Sequence, residues 1–374
     1  MSSNPLRIQE LLDLCIAFLS DSPADLRSCS LVARSWVNPA QSELFRIPNL
    51  TSVPSRSDRA ARKFCNALSD SPHLGHHLRD LSMGHWPTLI QNLDAVTFTH
   101  LHTLRFYIKN VSVASDLYRP LLSLPTLRTL HLDTSSRFSA SLKFLVLCPT
   151  IQHLELSCRE DYEESLADSA SSLPEKPPFI RLTSLQLEIS GGEDPLQHHL
   201  NQAALYPLDI SELKVLGIWG SGAIWWDSLP QAAQESIRIV DSNFWLGELD
   251  LSPFKNLAVL RLGMIQGGFG GAESDVRCTL ASISPANPIQ IVVLGLSNGL
   301  LRYNKEECAK IDRILLSLAS RDVRVELEFH LDTKGAEEKV RDWFPTIAAE
   351  NKFHLVYRSY GMTDVWLRGL LPNL

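Results

Sequence analysis

Apolar residues recur along most of the chain in one short string, Leu-x-x-Leu-x-Leu, in which Ile or Phe sometimes replaces Leu. Clear copies begin at positions 101, 127, 151, 182, 213 and 257, and weaker copies begin at 78, 246 and 291. The alternation of apolar and polar residues within each string predicts a short β-strand with one buried face. Stretches between strings, such as 116–124 and 139–147, have helical apolar spacing. The pattern predicts an α/β protein built from repeated strand and helix units.

The spacing of the strings identifies the kind of repeat. Successive copies from 78 to 213 are 23, 26, 24, 31 and 31 residues apart, and leucine-rich repeats have a period of about 20 to 29 residues. A single copy could arise by chance or within an amphipathic helix, but six clear copies favour a solenoid. We therefore predict a right-handed leucine-rich-repeat solenoid over 51–374, with parallel strands on its concave face and helices on its convex face.

Two segments differ from the regular repeats. Residues 159–178 are rich in acidic residues and proline and contain few large apolar side chains, which predicts an exposed insertion. Residues from about 303 to 374 alternate between helical and strand periodicity, and Pro345 interrupts the last predicted helix. We expect this part to form divergent repeats that cap the solenoid.

Residues 1–50 have a different character. The stretch 8–19 carries a broad apolar helical stripe, and Ser22, Pro23 and Asp25 match the N-cap, N1 and N3 positions of a second helix. A third helix is predicted to run to Leu44 and Phe45. Since about 40 residues bury little surface alone, we expect an apolar face to pack against a partner or the adjoining repeats.

Composition excludes several classes of protein. The chain is 44% hydrophobic with a net charge of −7, which argues against a disordered chain and against nucleic acid as a partner. Its seven cysteines are scattered without a C-x-x-C pair, so neither a disulfide framework nor a zinc site is indicated. No uncharged apolar run reaches the length of a bilayer span. We expect a cytoplasmic or nuclear protein, or one found in both compartments, that has no membrane segment.

No sequence motif of a common enzyme class is present. The chain lacks G-x-S-x-G, H-E-x-x-H and Walker A strings, and its His-His pairs at 76–77 and 198–199 have no partners at ligand spacing. We therefore predict no enzymatic activity, no cofactor and no metal. Distant residues could still converge in the fold, so an enzyme is the competing class.

The N-terminal helices resemble a known family. The run Glu10–Leu19, followed by Asp25-Leu26 and by Val32-Ala33-Arg34-Ser35-Trp36, is similar to the F-box motif. The likeness covers 7–46, although Arg7-Ile8 stands where that family usually has Leu-Pro. The rest of the chain resembles the leucine-rich-repeat domains of F-box proteins.

The resemblance implies a function. Such a protein would dock on the Skp-type adaptor of a cullin-RING ubiquitin ligase through its F-box and hold a protein substrate with its repeats. A non-catalytic leucine-rich-repeat scaffold with a degenerate F-box is the alternative. Carried over from the family, the adaptor-binding residues would be Leu11, Leu12, Ile16, Leu19, Leu26, Val32 and Trp36. For Trp36, packing between the helices is an equally good interpretation.

Strand alternation also predicts a substrate surface. Residues between the string leucines should point away from the core, and Trp219 and Arg261 then stand beside small neighbours, a composition typical of interface hot spots. We therefore expect a partner to dock around 215–263. Trp225 and Trp226 follow Trp219 and lie either on this surface or in the convex-side core. The predicted substrate-binding residues are Trp219, Arg261, Tyr107, Arg105 and His131.

Overall fold

The computed structural model divides the chain into two compact units. The first comprises 1–157 and 161–180, and the second comprises 158–160 and 181–374. The structure describes residues 9–48, 54–84, 96–108, 118–134, 145–159, 180–190, 208–221, 229–243, 248–264, 272–296, 305–329, 336–350 and 352–357.

The first unit begins with helices. They are α1 (Gln9–Ala17), α2 (Pro23–Cys29), α3 (Arg34–Arg46), α4 (Pro54–Asp70) and a 3₁₀ helix (Pro72–His77). As predicted, Ser22 is the N-cap of α2 and Pro23 is its first residue. The Ser22 hydroxyl donates a hydrogen bond to Asp25 Oδ2 at 2.6 Å, so the two polar residues of the cap bond to each other.

The helices α1, α2 and α3 share one small core. Leu12, Ile16, Leu26 and Ala40 are buried at its centre. The partly buried side chains packed around them are Leu19, Cys29, Trp36 and Leu44. Burying one Leu or Ile side chain contributes about 1.5–3 kcal/mol, and this core therefore holds the three helices together.

Four parallel strands follow in the first unit. They are β1 (Asp80–Gly84), β2 (Thr103–Ile108), β3 (Thr129–Thr134) and β4 (His153–Arg159), and they lie side by side in sequence order. The last two leucine positions of each string lie within the strand and are buried. Thr126 and Thr150, in the Pro-Thr steps before β3 and β4, donate to the carbonyls of Leu101 and Leu127 in the preceding repeat. These hydroxyl groups tie each repeat to the one before it.

The second unit also contains parallel strands. Separately from them, β5 (Ile180–Arg181) and β7 (Leu208–Asp209) form a two-stranded sheet. The other strands lie side by side in the order β6 (Ser184–Ser190), β8 (Val215–Ser221), β9 (Ile239–Asn243), β10 (Val259–Met264), β11 (Ile291–Leu296), β12 (Arg324–Phe329) and β13 (His354–Tyr357). The predicted α/β class with parallel sheet is therefore confirmed.

One strand lies where its string was not recognised. The weak string beginning at 246 predicts a strand, but Leu249 and Leu251 are buried in a non-strand segment. The strand is β9, whose string is Ile237-x-x-Val240-x-Ser242. This string begins 24 residues after Leu213 and 20 residues before Leu257. It was missed because Ser242 replaces the last leucine.

The C-terminal elements follow the predicted alternation. The helices of the second unit are α5 (Gln231–Ser236), α6 (Ala272–Ala281), α7 (Lys305–Ala319), α8 (Ala336–Trp343) and α9 (Pro345–Ala349). Pro345 ends one helix and begins the next, as predicted. The buried Asp312 of α7 accepts hydrogen bonds from the backbone N–H groups of Thr346 and Ile347, at 2.7 and 2.9 Å. A side chain from another helix thus caps the first turn of α9.

Other predicted segments are described only in part. Residues 118–122 are helical, within the predicted helix 116–124, whereas only 145–147 of the predicted helix 139–147 are described. Nearly all of the acidic insertion 159–178 lies outside the described residues, as do Arg7-Ile8 and the segment from 358 onward. Among the described helices, none combines the length and the apolar character needed to cross a lipid bilayer.

The cysteines provide a direct test of the packing. All seven are free thiols; Cys15 is exposed and Cys148 is buried. Burial raises the pKa of the Cys148 thiol, and it raises the pKa of Cys65 to about 11. Because the thiolate is the reactive form, we expect a maleimide at pH 7.5 to label Cys15 rapidly and Cys65 and Cys148 only in denaturant. Mass spectrometry of native and unfolded samples measures this, and rapid native labelling of Cys148 would contradict the fold.

Candidate functional site

The three N-terminal helices expose large apolar side chains. Leu11 and Leu14 lie three residues apart on α1, and Phe18 follows directly after its last residue, with its backbone N–H bonded to the Leu14 carbonyl. Leu31 and Val32 lie in the turn between α2 and α3. Phe18 and Leu31 are each 87% exposed. We call these five residues the docking patch. Large apolar side chains left exposed on a folded domain often mark an interaction surface.

The structure corrects part of the predicted adaptor-binding set. Leu12, Ile16 and Leu26 are each only 1% exposed, so they hold the helices together and cannot contact a partner in this fold. Leu19 and Trp36 are partly buried and pack on the same core, which supports the internal-packing interpretation of Trp36.

The docking patch shares two residues with the predicted set. Leu11 and Val32 are exposed as a contact role requires, whereas Leu14, Phe18 and Leu31 were missed. The helical apolar stripe of α1 covers more than one face, and only packing shows which face is buried. The signal available in the sequence was that Leu11, Leu14 and Phe18 form their own stripe beside Leu12 and Ile16.

Three predicted substrate residues lie together on the strands of the first unit. Arg105 of β2 pairs in register with His131 of β3, and Tyr107 lies two residues further along β2. Tyr107 is exposed, and Arg105 and His131 are half-buried. His131 Nδ1 forms a hydrogen bond with Glu155 Oε2 of β4. These residues form one polar surface with an aromatic side chain, which we call the strand surface.

The second unit contradicts the prediction for Arg261. Its side chain is not on a solvent-exposed surface; the residue is 3% exposed and lies in a buried ion-pair network. Nη1 donates to Asp241 Oδ1 at 2.8 Å, while Nε and Nη2 donate to the two carboxylate oxygens of Glu328 at 3.1 and 2.9 Å. Both carboxylates are completely buried.

Strand register explains how Arg261 reaches both partners. Asp241 of β9 lies directly beside Arg261 of β10, whereas Glu328 lies on β12, two strands away. The intervening strand carries Gly295 at the register position of Glu328. A Cβ atom there would lie 3.9 Å from Arg261 Nη2 and 3.3 Å from the Gly263 Cα atom. Glycine on β11 therefore leaves room for the guanidinium group to cross the strand.

The electrostatics of this network favour a charged arginine. Burial by itself lowers the pKa of Arg261, but Asp241 and Glu328 outweigh that effect and raise the pKa above its ordinary value. The pKa of Asp241 is raised, first by burial and also by the charge of Glu328, although Arg261 and the Trp219 indole act in the opposite direction. Two buried carboxylates face one guanidinium group, so removal of Arg261 would deprive both of that positive charge.

Trp219 is half-buried and lies near this interior network. Val215, Ile239 and Val259, which strand alternation places on the same face, form a buried apolar cluster. The prediction of an open docking surface across 215–263 is therefore wrong. Alternation identifies the two faces of a strand, but it does not show whether a face is solvated. Trp225 and Trp226 lie outside the described residues.

Within the described ranges, no group of three or more His, Cys, Asp and Glu side chains has the arrangement of a metal site. The chain matches no protein-family model, and the comparison with curated proteins also gives no match. The likeness to F-box proteins therefore rests on the sequence motif, and the docking patch is the structural feature that can be tested against it.

Proposed function

We propose that this protein is the substrate-recognition subunit of a cullin-RING ubiquitin ligase. In this proposal, helices α1–α3 form an F-box that binds a Skp-type adaptor, and the repeats bind a target protein. The observation that carries the proposal is the docking patch, since a helical bundle with its own core still exposes five large apolar side chains. An adaptor that covers these residues would remove them from water.

The leucine-rich-repeat solenoid is part of the same proposal. Strands that follow one another in sequence order pair in parallel in each unit, and the string leucines are buried behind them. Parallel neighbours require a crossover connection between strands, and helices such as α6 and α7 occupy such connections. These features are what a right-handed leucine-rich-repeat solenoid requires.

The strand surface is the better candidate for target binding. Tyr107 is exposed on it, and Arg105 and His131 are partly accessible, whereas Arg261 is fully engaged in the interior. Tyr and Arg are the residue types that dominate binding energy at protein interfaces. We therefore propose that the target protein contacts the strand surface around Tyr107.

Introducing negative charges into the docking patch tests adaptor binding. We expect Phe18→Asp combined with Leu31→Asp to abolish co-purification with a Skp-type adaptor, because two carboxylates would have to be desolvated in an apolar interface. The melting temperature should change little, since both side chains are 87% exposed. Ala24→Asp is the matched control, because it adds a carboxylate at an exposed position in the first turn of α2.

The outcomes separate the proposed function from its alternative. Unchanged adaptor binding by the double variant would contradict the assignment of α1–α3 as an F-box. If the adaptor binds but no captured partner accumulates when the proteasome is inhibited, the protein is a scaffold rather than a substrate receptor. In the receptor case, Tyr107→Ala should reduce capture of the accumulating partner without affecting adaptor binding.

A further inference from the structure

A second open site lies in the first unit, apart from the docking patch. It is a cleft of about 600 Å³ whose walls come from α1, α3, the 3₁₀ helix and residues just before β1 and β2. Sites for small molecules have volumes of roughly 300–1,000 Å³. We call it the basic cleft and define it by its charged and titratable lining residues, Asp13, Arg34, His76, His77, Arg79 and His100.

The lining of the basic cleft has an excess of positive charge. Arg34 and Arg79 are both exposed, and in the described part of the chain neither side chain has an ion-pair partner. The cleft contains one carboxylate, Asp13, which accepts a hydrogen bond from the Gln9 amide at 2.6 Å. Two permanently charged guanidinium groups thus face a single carboxylate that already has a partner.

The histidines make the cleft sensitive to a bound anion. The pKa of His77 is lowered, first by burial and then by the charges of His73, His76 and His100. The His76 Nδ1 atom is hydrogen-bonded to Thr99 Oγ1 at 2.9 Å, which leaves Nε2 for a ligand. Because protonated histidines repel one another here, a bound anion would stabilise their charged forms.

The N-terminus of helix α3 lies at the cleft and carries a partial positive charge. Its N-cap is Ala33, which has no side-chain hydrogen-bond acceptor, so its first N–H groups lack a side-chain cap. Arg34 and Ser35, the first two residues of α3, line the cleft. The partial positive charge of a helix N-terminus favours an anion, most of all beside arginine side chains.

We propose that the basic cleft binds the phosphate groups of a small phosphorylated molecule. Guanidinium groups match phosphate oxygens through paired hydrogen bonds, and several cationic groups in one cleft favour a ligand with more than one negative charge. A metal ion is disfavoured by the two arginines. This inference does not depend on the adaptor, since the docking-patch residues do not line the cleft.

The test is calorimetric titration of the full-length protein with inorganic pyrophosphate at low ionic strength. We expect saturable binding that weakens by about tenfold for each arginine removed, because one charge-assisted hydrogen bond corresponds to at least a decade of affinity. The variant is Arg34→Gln with Arg79→Gln. Its matched control is Arg27→Gln with Arg62→Gln, which removes two exposed arginines of the same unit that do not line the cleft.

A second measurement checks that the ligand sits in the cleft. Proton NMR of the histidine rings should show that pyrophosphate raises the pKa of His77, on which the charges of His73, His76 and His100 act; Arg34, Arg79 and Asp13 are the other charged groups that line the cleft. Equal affinity of the two double variants, or an absence of saturable binding by the wild-type protein, would overturn the proposal. Citrate binding as tight as that of pyrophosphate would overturn the assignment to phosphate.

Discussion

Replacing Arg261 with methionine is expected to lower the free energy of unfolding by about 3–5 kcal/mol, the usual cost of removing one partner from a buried ion pair. The guanidinium group satisfies Asp241 and Glu328 at the same time, and both carboxylates are completely buried. Methionine keeps most of the side-chain volume but leaves both buried carboxylates without the guanidinium group. Urea unfolding, combined with hydrogen exchange of β9–β12, measures the loss.

The chain contains a matched control for this experiment. Arg181 also bonds to two carboxylates, Asp209 and Glu212, both at 3.1 Å, but its side chain is 59% exposed. Arg181→Met should therefore cost about 1 kcal/mol or less, as is usual for exposed ion pairs.

A compensating variant separates the effect of the lost charge on stability from the effect of the changed side-chain volume. Arg261→Met combined with Asp241→Asn and Glu328→Gln should recover much of the stability, because no buried charge then lacks a partner. Equal losses for Arg181→Met and Arg261→Met would show that burial of the network does not matter. An exposed binding role for Arg261 would be supported if stability were unchanged and only partner capture were lost.

Replacing Leu12 with alanine is expected to destabilise the three-helix bundle by about 2–5 kcal/mol, the range for a buried leucine. Leu12 lies at the centre of the core with Ile16, Leu26 and Ala40. With so few buried residues, the cavity would represent a large fraction of the bundle's stability. Hydrogen exchange of the α1–α3 amides measures the effect, and adaptor binding should be lost together with the fold.

Leu14→Ala is the control, since it makes the same chemical change two residues along the same helix. Leu14 is exposed, so its replacement should change stability by no more than about 0.5 kcal/mol, while adaptor binding weakens. If Leu12→Ala leaves the bundle intact and Leu14→Ala unfolds it, the orientation of α1 is wrong. The two variants therefore distinguish a core residue from a contact residue within a single turn of helix.

The sequence indicated the strands well because each string contains the period that a strand requires. In Leu-x-x-Leu-x-Leu, the second and third leucines are two residues apart. Both can be buried on the same side only if this part of the string is a strand, in which alternate side chains share a face. The same reasoning placed α7, α8, α9, β12 and β13, whose helical and strand periods are distinct. It missed β9 because Ser242 occupies the position of the last leucine, and this position is buried nonetheless.

The candidate site was less predictable because exposure is a property of the packed molecule. Leu11, Leu12 and Leu14 have the same side chain, and only the positions of α2 and α3 decide that Leu12 is buried while the other two are exposed. Arg261 follows the alternation that places it opposite the leucine core, yet it is buried with Asp241 and Glu328. The sequence separations in this network are 20 and 67 residues.

By itself, the sequence determined most of the strands, the parallel α/β class and the distinct helical segment at the N-terminus, since these depend on periodicity over short stretches of chain. Only the tertiary structure decided which apolar stripe of α1 remains in contact with water, that Arg261 lies in the interior, and that Arg34, Arg79 and three histidines line one cleft. Each of these facts depends on contacts between residues that are distant in sequence, and local periodicity carries no information about such contacts.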